Sequence, residues 1–216
     1  AIPPVVPVRR DEPPVLSYSQ ERMWFLEQME GTGGVYNVPV AVRLDGALRD
    51  DVLINSLNAI VARHETLRMT FSSVSGRTCA RITDGVRVPL LRTDLSGMAS
   101  AERAKELERL CREEASATFD LSSGPLIRGK LVRLAEREHV LLLTLHHTVS
   151  DGWSLGVLLK ELAALYEAGL GGRRASLPEL TVQYADYAQW QRDRLTGEVL
   201  DNQLQYWRER FSGELP

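Results

Sequence analysis

The sequence predicts an α/β protein, a mixed β-sheet flanked by helices, on three observations. Residues 140–145 are apolar at every position but Thr144 and are strand-sized, so they belong in the middle of a sheet with both faces covered. Residues 49–63, 100–118 and 153–168 carry apolar side chains at helical spacing. Strand-like and helical stretches are intermixed without regular alternation, which fits helices packed on a mixed sheet.

Each element follows from local signals. Residues 1–16 hold Pro3, Pro4, Pro7, Pro13 and Pro14. Proline lacks an amide donor and fixes its own φ, so this stretch reads as an extended tether or edge segment, distinct from a folded unit at 17–216. Ser17 precedes Gln20 by three residues, the spacing of a capping box, and Met23, Trp24, Leu26 and Met29 follow on a short helix expected to end near Gly31. Residues 38–44 read as a strand closed by Asp45-Gly46. Leu53, Leu57, Ile60 and Val61 share one face of helix 49–63. Strands at 67–71 and 79–82 flank a turn at Ser75-Gly76, and helix 100–118 turns Leu107, Leu110 and Cys111 inward. Strands 126–134 and 139–145 pair as a hairpin across Glu136-Arg137. Helix 153–168 ends before Gly169, and helices at 182–194 and 202–211 carry aromatics at helical spacing.

Composition narrows the function. Apolar residues make up 44% and charged residues 25%, enough for one sizeable core. A net charge of −3, with basic pairs only at Arg9-Arg10 and Arg173-Arg174, argues against a nucleic-acid binder. Cys79 and Cys111 have neither metal-type spacing nor a disulfide framework and read as packed thiols of a reducing compartment. No apolar run approaches the roughly 20 residues that span a bilayer, so no membrane association is expected. The start without Met, in a Pro-Val-rich stretch, reads as the tail of a linker in a longer cytoplasmic polypeptide.

Chemistry concentrates in one segment. A buried strand runs into His146-His147, then Thr148-Val149-Ser150, then Asp151-Gly152-Trp153-Ser154 and a helix. Adjacent residues at a strand end point to opposite faces, so one histidine is expected in a cleft and the other packed. Asp151 stands at the helix N-cap, and Gly152 offers close backbone approach and freedom of φ. A metal site needs converging ligands, and these histidines diverge with no third strong ligand nearby. Two readings stay open on spacing: hydrogen-bonded core histidines beside a simple cap, or one imidazole that accepts or orients a proton near neutral pH.

The segment His146-His147-Thr148-Val149-Ser150-Asp151-Gly152 resembles the H-H-x-x-x-D-G signature of condensation domains of nonribosomal peptide synthetases. Four more segments resemble that family's motifs in order. They are Ser17-Tyr18-Ser19-Gln20-Glu21-Arg22-Met23-Trp24-Phe25-Leu26; Arg63-His64-Glu65-Thr66-Leu67-Arg68-Met69-Thr70-Phe71, with Met69 where Thr is common; Tyr184-Ala185-Asp186-Tyr187-Ala188-Gln189-Trp190-Gln191; and Gln203-Leu204-Gln205-Tyr206-Trp207-Arg208.

The resemblance implies a chloramphenicol acetyltransferase-like sandwich, one lobe of a two-lobed domain with its active site in a tunnel between lobes. It implies peptide-bond formation between a donor thioester and an acceptor amine, each tethered to a peptidyl carrier protein through phosphopantetheine, with no cofactor or metal bound directly. His147 takes the place of the active-site histidine, with His146 its partner at the strand end and a backbone N–H near Gly152 as an aid to developing charge. Asp151 is expected to be gripped by an arginine, Arg68 first and Arg63 second, with Trp153 as further structural support. The partners implied are upstream and downstream carrier proteins, the C-terminal lobe and a neighbouring adenylation domain. The motifs look most like the class that joins two L-configured residues; an epimerization domain or a catalytically silent recruitment module of the same fold is the alternative. This lobe is expected to be inactive alone, with an apolar lobe–lobe surface.

Overall fold

The computed structural model describes residues 2–30, 34–74 and 76–213. Its elements in chain order are α1 (Tyr18–Glu30), β1 (Asn37–Asp45), α2 (Asp50–Arg63), a 3₁₀ turn (Glu65–Arg68), β2 (Met69–Val74), β3 (Arg77–Ile82), β4 (Leu90–Asp94), α3 (Ser100–Ser116), β5 (Ile127–Ala135), β6 (Glu138–His146), α4 (Gly152–Leu170), α5 (Tyr184–Arg194) and α6 (Gly197–Arg210). Gly31, near which α1 was expected to stop, and Ser75 of the β2–β3 turn lie outside the described residues.

The sheet is mixed, in the order β1-β6-β5-β4, with β2 and β3 as a separate hairpin. β6 pairs antiparallel with β1 on one side and with β5 on the other. That central place explains its apolar character. Leu141, Leu143 and Leu145 face one core with Leu53, Leu57, Ile60 and Val61 of α2 and Leu158 and Leu162 of α4. Val140 and Leu142 face a second core with Leu110 of α3, Val132 and Leu134. The period-2 alternation of a strand thus sends successive leucines into opposite layers. The β5–β6 connection is the expected two-residue turn, with Ala135 opposite Glu138.

Several boundaries shifted for identifiable reasons. β4 was not read from the sequence: at five residues, Leu-Leu-Arg-Thr-Asp, with Leu91 exposed, it has too little apolar periodicity, and only its parallel pairing to β5 makes it a strand. β2 begins at Met69, not at Leu67, because residues 65–68 close a 3₁₀ turn. α4 continues through Gly169, where a side chain would strike Val52 of α2: a Cβ there would sit 2.7 Å from Val52 Cγ1. The helix ends instead at Leu170 with Gly171 as its C-cap, and Gly172 just beyond, at a left-handed φ of +63°, turns the chain so that Arg173 N–H donates back to the Ala168 carbonyl at 2.9 Å.

Residues 2–16 form no regular element, yet they lie against α5. Val8 N–H donates to Asp186 Oδ1 (2.9 Å), Arg10 reaches Asp186 and Glu65 (2.8 and 2.7 Å), and Trp190 Nε1–H donates to the Pro3 carbonyl (2.8 Å). Asp186, itself buried, also accepts from Gln183 N–H at 2.7 Å, so one carboxylate caps α5 and anchors the proline-rich segment.

Candidate active site

The strand alternation that builds the two cores also sorts the two histidines. His146 ends β6 on the same face as Leu142 and Thr144, next to α3, and is 2% exposed. His147 lies just past the strand and is exposed. Backbone bonds hold the turn between them and α4: His146 N–H to Leu126 O (3.0 Å), His147 N–H to Tyr36 O (2.8 Å) and Val149 N–H to His146 O (3.0 Å).

Hydrogen-bond partners assign the protons. Nδ1 of His147 lies 2.7 Å from the Ser150 carbonyl. A carbonyl only accepts, so Nδ1 carries the hydrogen and neutral His147 presents a bare lone pair at Nε2. Among the described residues, none hydrogen-bonds that nitrogen. In His146 the pattern is reversed. Thr148 N–H donates to its Nδ1 at 3.2 Å, and the Thr148 hydroxyl is 2.7 Å from the same atom. Nδ1 is therefore the acceptor and Nε2–H the donor, toward Glu27 Oε1 at 3.2 Å. Burial holds the His146 pKa below the ordinary imidazole value, only partly opposed by Glu27.

Asp151 is the N-cap of α4, its Oδ1 accepting from Ser154 N–H (2.8 Å) and from the Ser154 hydroxyl (2.6 Å). These two bonds hold its carboxyl below the usual carboxylate range. The expected arginine grip is not what the structure places there. Arg68 turns the other way, to the Val61 and Thr83 carbonyls and the Asp84 carboxylate. Arg63 binds Glu161 (3.0 Å) and the Pro178 carbonyl, and Glu161 also accepts from His64 Nε2–H at 2.7 Å. Both guanidiniums are taken up by groups away from the cap, Arg63 by Glu161 of α4 and the Pro178 carbonyl and Arg68 by Thr83 and Asp84 just past β3, while Asp151 faces its own helix's first turn.

Two further expectations need correction. Gly152 lies outside the positive-φ glycines, and a Cβ built on it would meet nothing within 4 Å, so freedom of φ is not what glycine supplies there. Trp153 supports nothing beneath it; at 84% exposure it stands in the open at the rim of a cavity of about 150 Å³. Ile60, Leu67, Leu145, Val149, Val157 and Leu158 line that cavity, together with Ser150, whose carbonyl orients His147. Among the described residues, no group of three His, Cys, Asp or Glu side chains is placed to hold a metal ion, and no helix is long and apolar enough to cross a membrane.

Glu27, Tyr36 and Phe119 around His146 escaped sequence reasoning. Tyr36 and Phe119 pack against the imidazole in T-shaped geometry, with ring centres 6.3 and 6.0 Å from its own. Only Glu27 left a usable sign, an acid seven residues after Gln20 on the same face of α1.

The condensation-domain family model matches residues 11–216. The chain belongs to the condensation-domain family. This condensation-domain chain is 48% identical over 212 residues to a linear gramicidin synthase of Brevibacillus parabrevis, covering 98% of the chain and 4% of that protein. It is 43% identical to the phosphinothricin tripeptide synthetase PhsC of Streptomyces viridochromogenes, covering 99% of the chain and 20% of that protein. Its fold matches the X-domain solved in complex with OxyB from teicoplanin biosynthesis (TM-score 0.85, 31% identity, all of this chain and 48% of that one). It also matches the first condensation domain of the calcium-dependent antibiotic synthetase (TM-score 0.82, 24% identity, 96% of this chain and 51% of that one), a likeness of fold alone. The chain thus spans about half of the solved structures it matches. The chloramphenicol acetyltransferase-like sandwich expected from the motifs is the fold of this family.

Proposed function

We propose that this chain is the histidine-bearing N-terminal lobe of a peptide-bond-forming condensation domain, with His147 at the reacting amine. One observation carries the reading: His147 is exposed, and the Ser150 carbonyl ties its Nδ1–H, so its Nε2 lone pair is directed to whatever enters. An acceptor α-amine, partly uncharged near neutral pH because such groups titrate at about 7.7–8.0, attacks the carbonyl of a donor thioester. The new C–N bond forms first and moves the carbonyl electron pair onto oxygen, giving a tetrahedral oxyanion. Its collapse restores the carbonyl and breaks the C–S bond, and the proton that leaves the amine nitrogen, accepted or held by Nε2, goes to the departing thiolate. Two substrates on phosphopantetheine arms of carrier proteins meet at high effective concentration, so orientation contributes much of the acceleration. The α4 N-terminus, with the Gly152 N–H and the positive end of the helix dipole, favours the developing oxyanion.

The second half of the site is proposed to come from a C-terminal lobe. No residue of α6 is buried, and Leu200, Leu204 and Trp207 are exposed on it with Phe211 at its C-cap, an apolar surface of the kind a second lobe covers. An isolated 216-residue chain is then inactive, and turnover by it would refute that part. Condensation of L-configured residues, a neighbouring adenylation domain and a cytoplasmic setting complete the reading.

The test is His147→Ala in the full-length protein, with carrier-bound donor and acceptor, read as dipeptidyl product. General acid–base assistance is worth about 10²–10⁴-fold; retention of full rate refutes the proposal. A single-substrate incubation that yields epimerised aminoacyl thioester points to an epimerization domain instead. A second reading, a catalytically silent recruitment module, is favoured by the likeness to the X-domain bound to OxyB. Absence of dipeptidyl product from the parent protein, with His147→Ala indistinguishable from it, would favour it.

A further inference from the structure

α1 has an unusual surface for a packed helix, because what it turns toward the histidine turn is polar. Gln20, 1% exposed, both closes the capping box with Ser17 and donates through Nε2–H to the Thr148 carbonyl at 3.3 Å. Two helical turns later Glu27 accepts from His146 Nε2–H at 3.2 Å. Its side chain keeps 17% exposure, while the imidazole keeps 2%. One helix therefore grips the turn at the Thr148 carbonyl and at the His146 ring.

The His146 ring closes a circuit. Nδ1 receives the Thr148 N–H and hydroxyl, Val149 N–H returns to the His146 carbonyl, and Ser150, the next residue, offers its carbonyl to His147 Nδ1–H. Moving the His146 proton to Nδ1 would set an N–H against the Thr148 N–H and leave only the Thr148 hydroxyl to accept it, so the two tautomers are close enough for the Nε2 partner to matter. A buried donor left unpaired at Nε2 costs as much as the lost bond itself, so the acceptor on Nε2 decides which tautomer is stable.

We infer that Glu27 is a positioning residue for His147: by accepting the His146 Nε2–H it holds the turn that orients the His147 ring. Phe119, with the Arg128 guanidinium 3.9 Å from its ring centre, and Tyr36 pack against the same imidazole in T-shaped geometry. The inference rests on the proposed role of His147, and the two fail separately in one experiment.

The full-length protein is prepared with Glu27→Ala, Glu27→Leu, Glu27→Gln and His147→Ala, each assayed for condensation with kcat and KM resolved. Nitrogen NMR of isotope-labelled histidine reads the His146 tautomer. A hydrogen bond to a charged acceptor is worth about tenfold or more in rate when lost. Glu27→Ala and Glu27→Leu are expected to lower kcat about tenfold with little change in KM and to lose the pure Nε2–H signature. Glu27→Gln, whose amide oxygen still accepts, restores both; the leucine variant reads the effect if the alanine variant does not fold. Equal kcat and an unchanged tautomer in Glu27→Leu overturn the inference even if His147→Ala is dead. Equal losses in Glu27→Leu and Glu27→Gln overturn it too, because charge and not acceptance would then be at work. Full activity of His147→Ala sinks the proposed function, while the tautomer still reports on Glu27.

Discussion

Replacing Asp151 separates two physical pictures of the motif's aspartate. As a helix cap, its Oδ1 receives one backbone and one hydroxyl hydrogen bond, both from Ser154, at 2.8 and 2.6 Å. Loss of an N-cap acceptor costs about 1 kcal/mol, and Asn caps as well as Asp. For a chain of this size ~1 kcal/mol moves the melting temperature by about 2–4 °C. Asp151→Ala is therefore expected to melt about 2–4 °C lower and Asp151→Asn to melt with the parent protein. A carboxylate held by a buried arginine would behave otherwise, because breaking such a pair costs about 3–5 kcal/mol and Asn would not rescue it. A thermal melt of Asp151→Ala, Asp151→Asn, Arg68→Ala and the Asp151→Ala/Arg68→Ala double variant decides the matter. Distant, unconnected sites add within about 0.5 kcal/mol. The reasoning is refuted if Asp151→Asn falls as far as Asp151→Ala, or if Asp151 and Arg68 couple by more than about 1 kcal/mol.

Four other outcomes follow from the same geometry. Because burial depresses the His146 pKa, the unfolded chain binds its proton first as pH falls; stability is full above about 6.5 and declines below it, by at most about 1.4 kcal/mol per pH unit, until the folded value is reached. Denaturant unfolding of the parent and His146→Gln proteins between about pH 7 and 5 should show the steeper loss in the parent only. Asp186→Ala removes the acceptor of Val8 N–H and Arg10, and hydrogen exchange at Val8 is expected to reach the rate of an open chain while α2 and β6 stay protected. Leu143 is fully buried, and Leu143→Ala should cost about 2–5 kcal/mol. A Cβ on Gly129 would lie 2.9 Å from Leu143 Cδ2, so Gly129→Ala is destabilising alone and the Gly129→Ala/Leu143→Ala pair should lose less than the sum in urea unfolding.

What the linear sequence determined by itself is whatever repeats along the backbone or lies within a few residues. The leucines of β6, the inward face of α2, the Ser17–Gln20 capping box and the divergence of His146 and His147 all follow from strand and helix periods, which depend on bond geometry alone. Only the tertiary structure decided which distant groups meet. Arg68 is satisfied by Asp84 and Arg63 by Glu161, although both arginines stand in the same motif and either could have reached a carboxylate elsewhere. β4 exists because β5 offers it a parallel edge, and Glu27 meets His146 across 119 positions of chain. A hydrogen bond a few ångströms long is chosen by how whole elements pack, and packing is settled by the sum of many buried contacts, which no local pattern records.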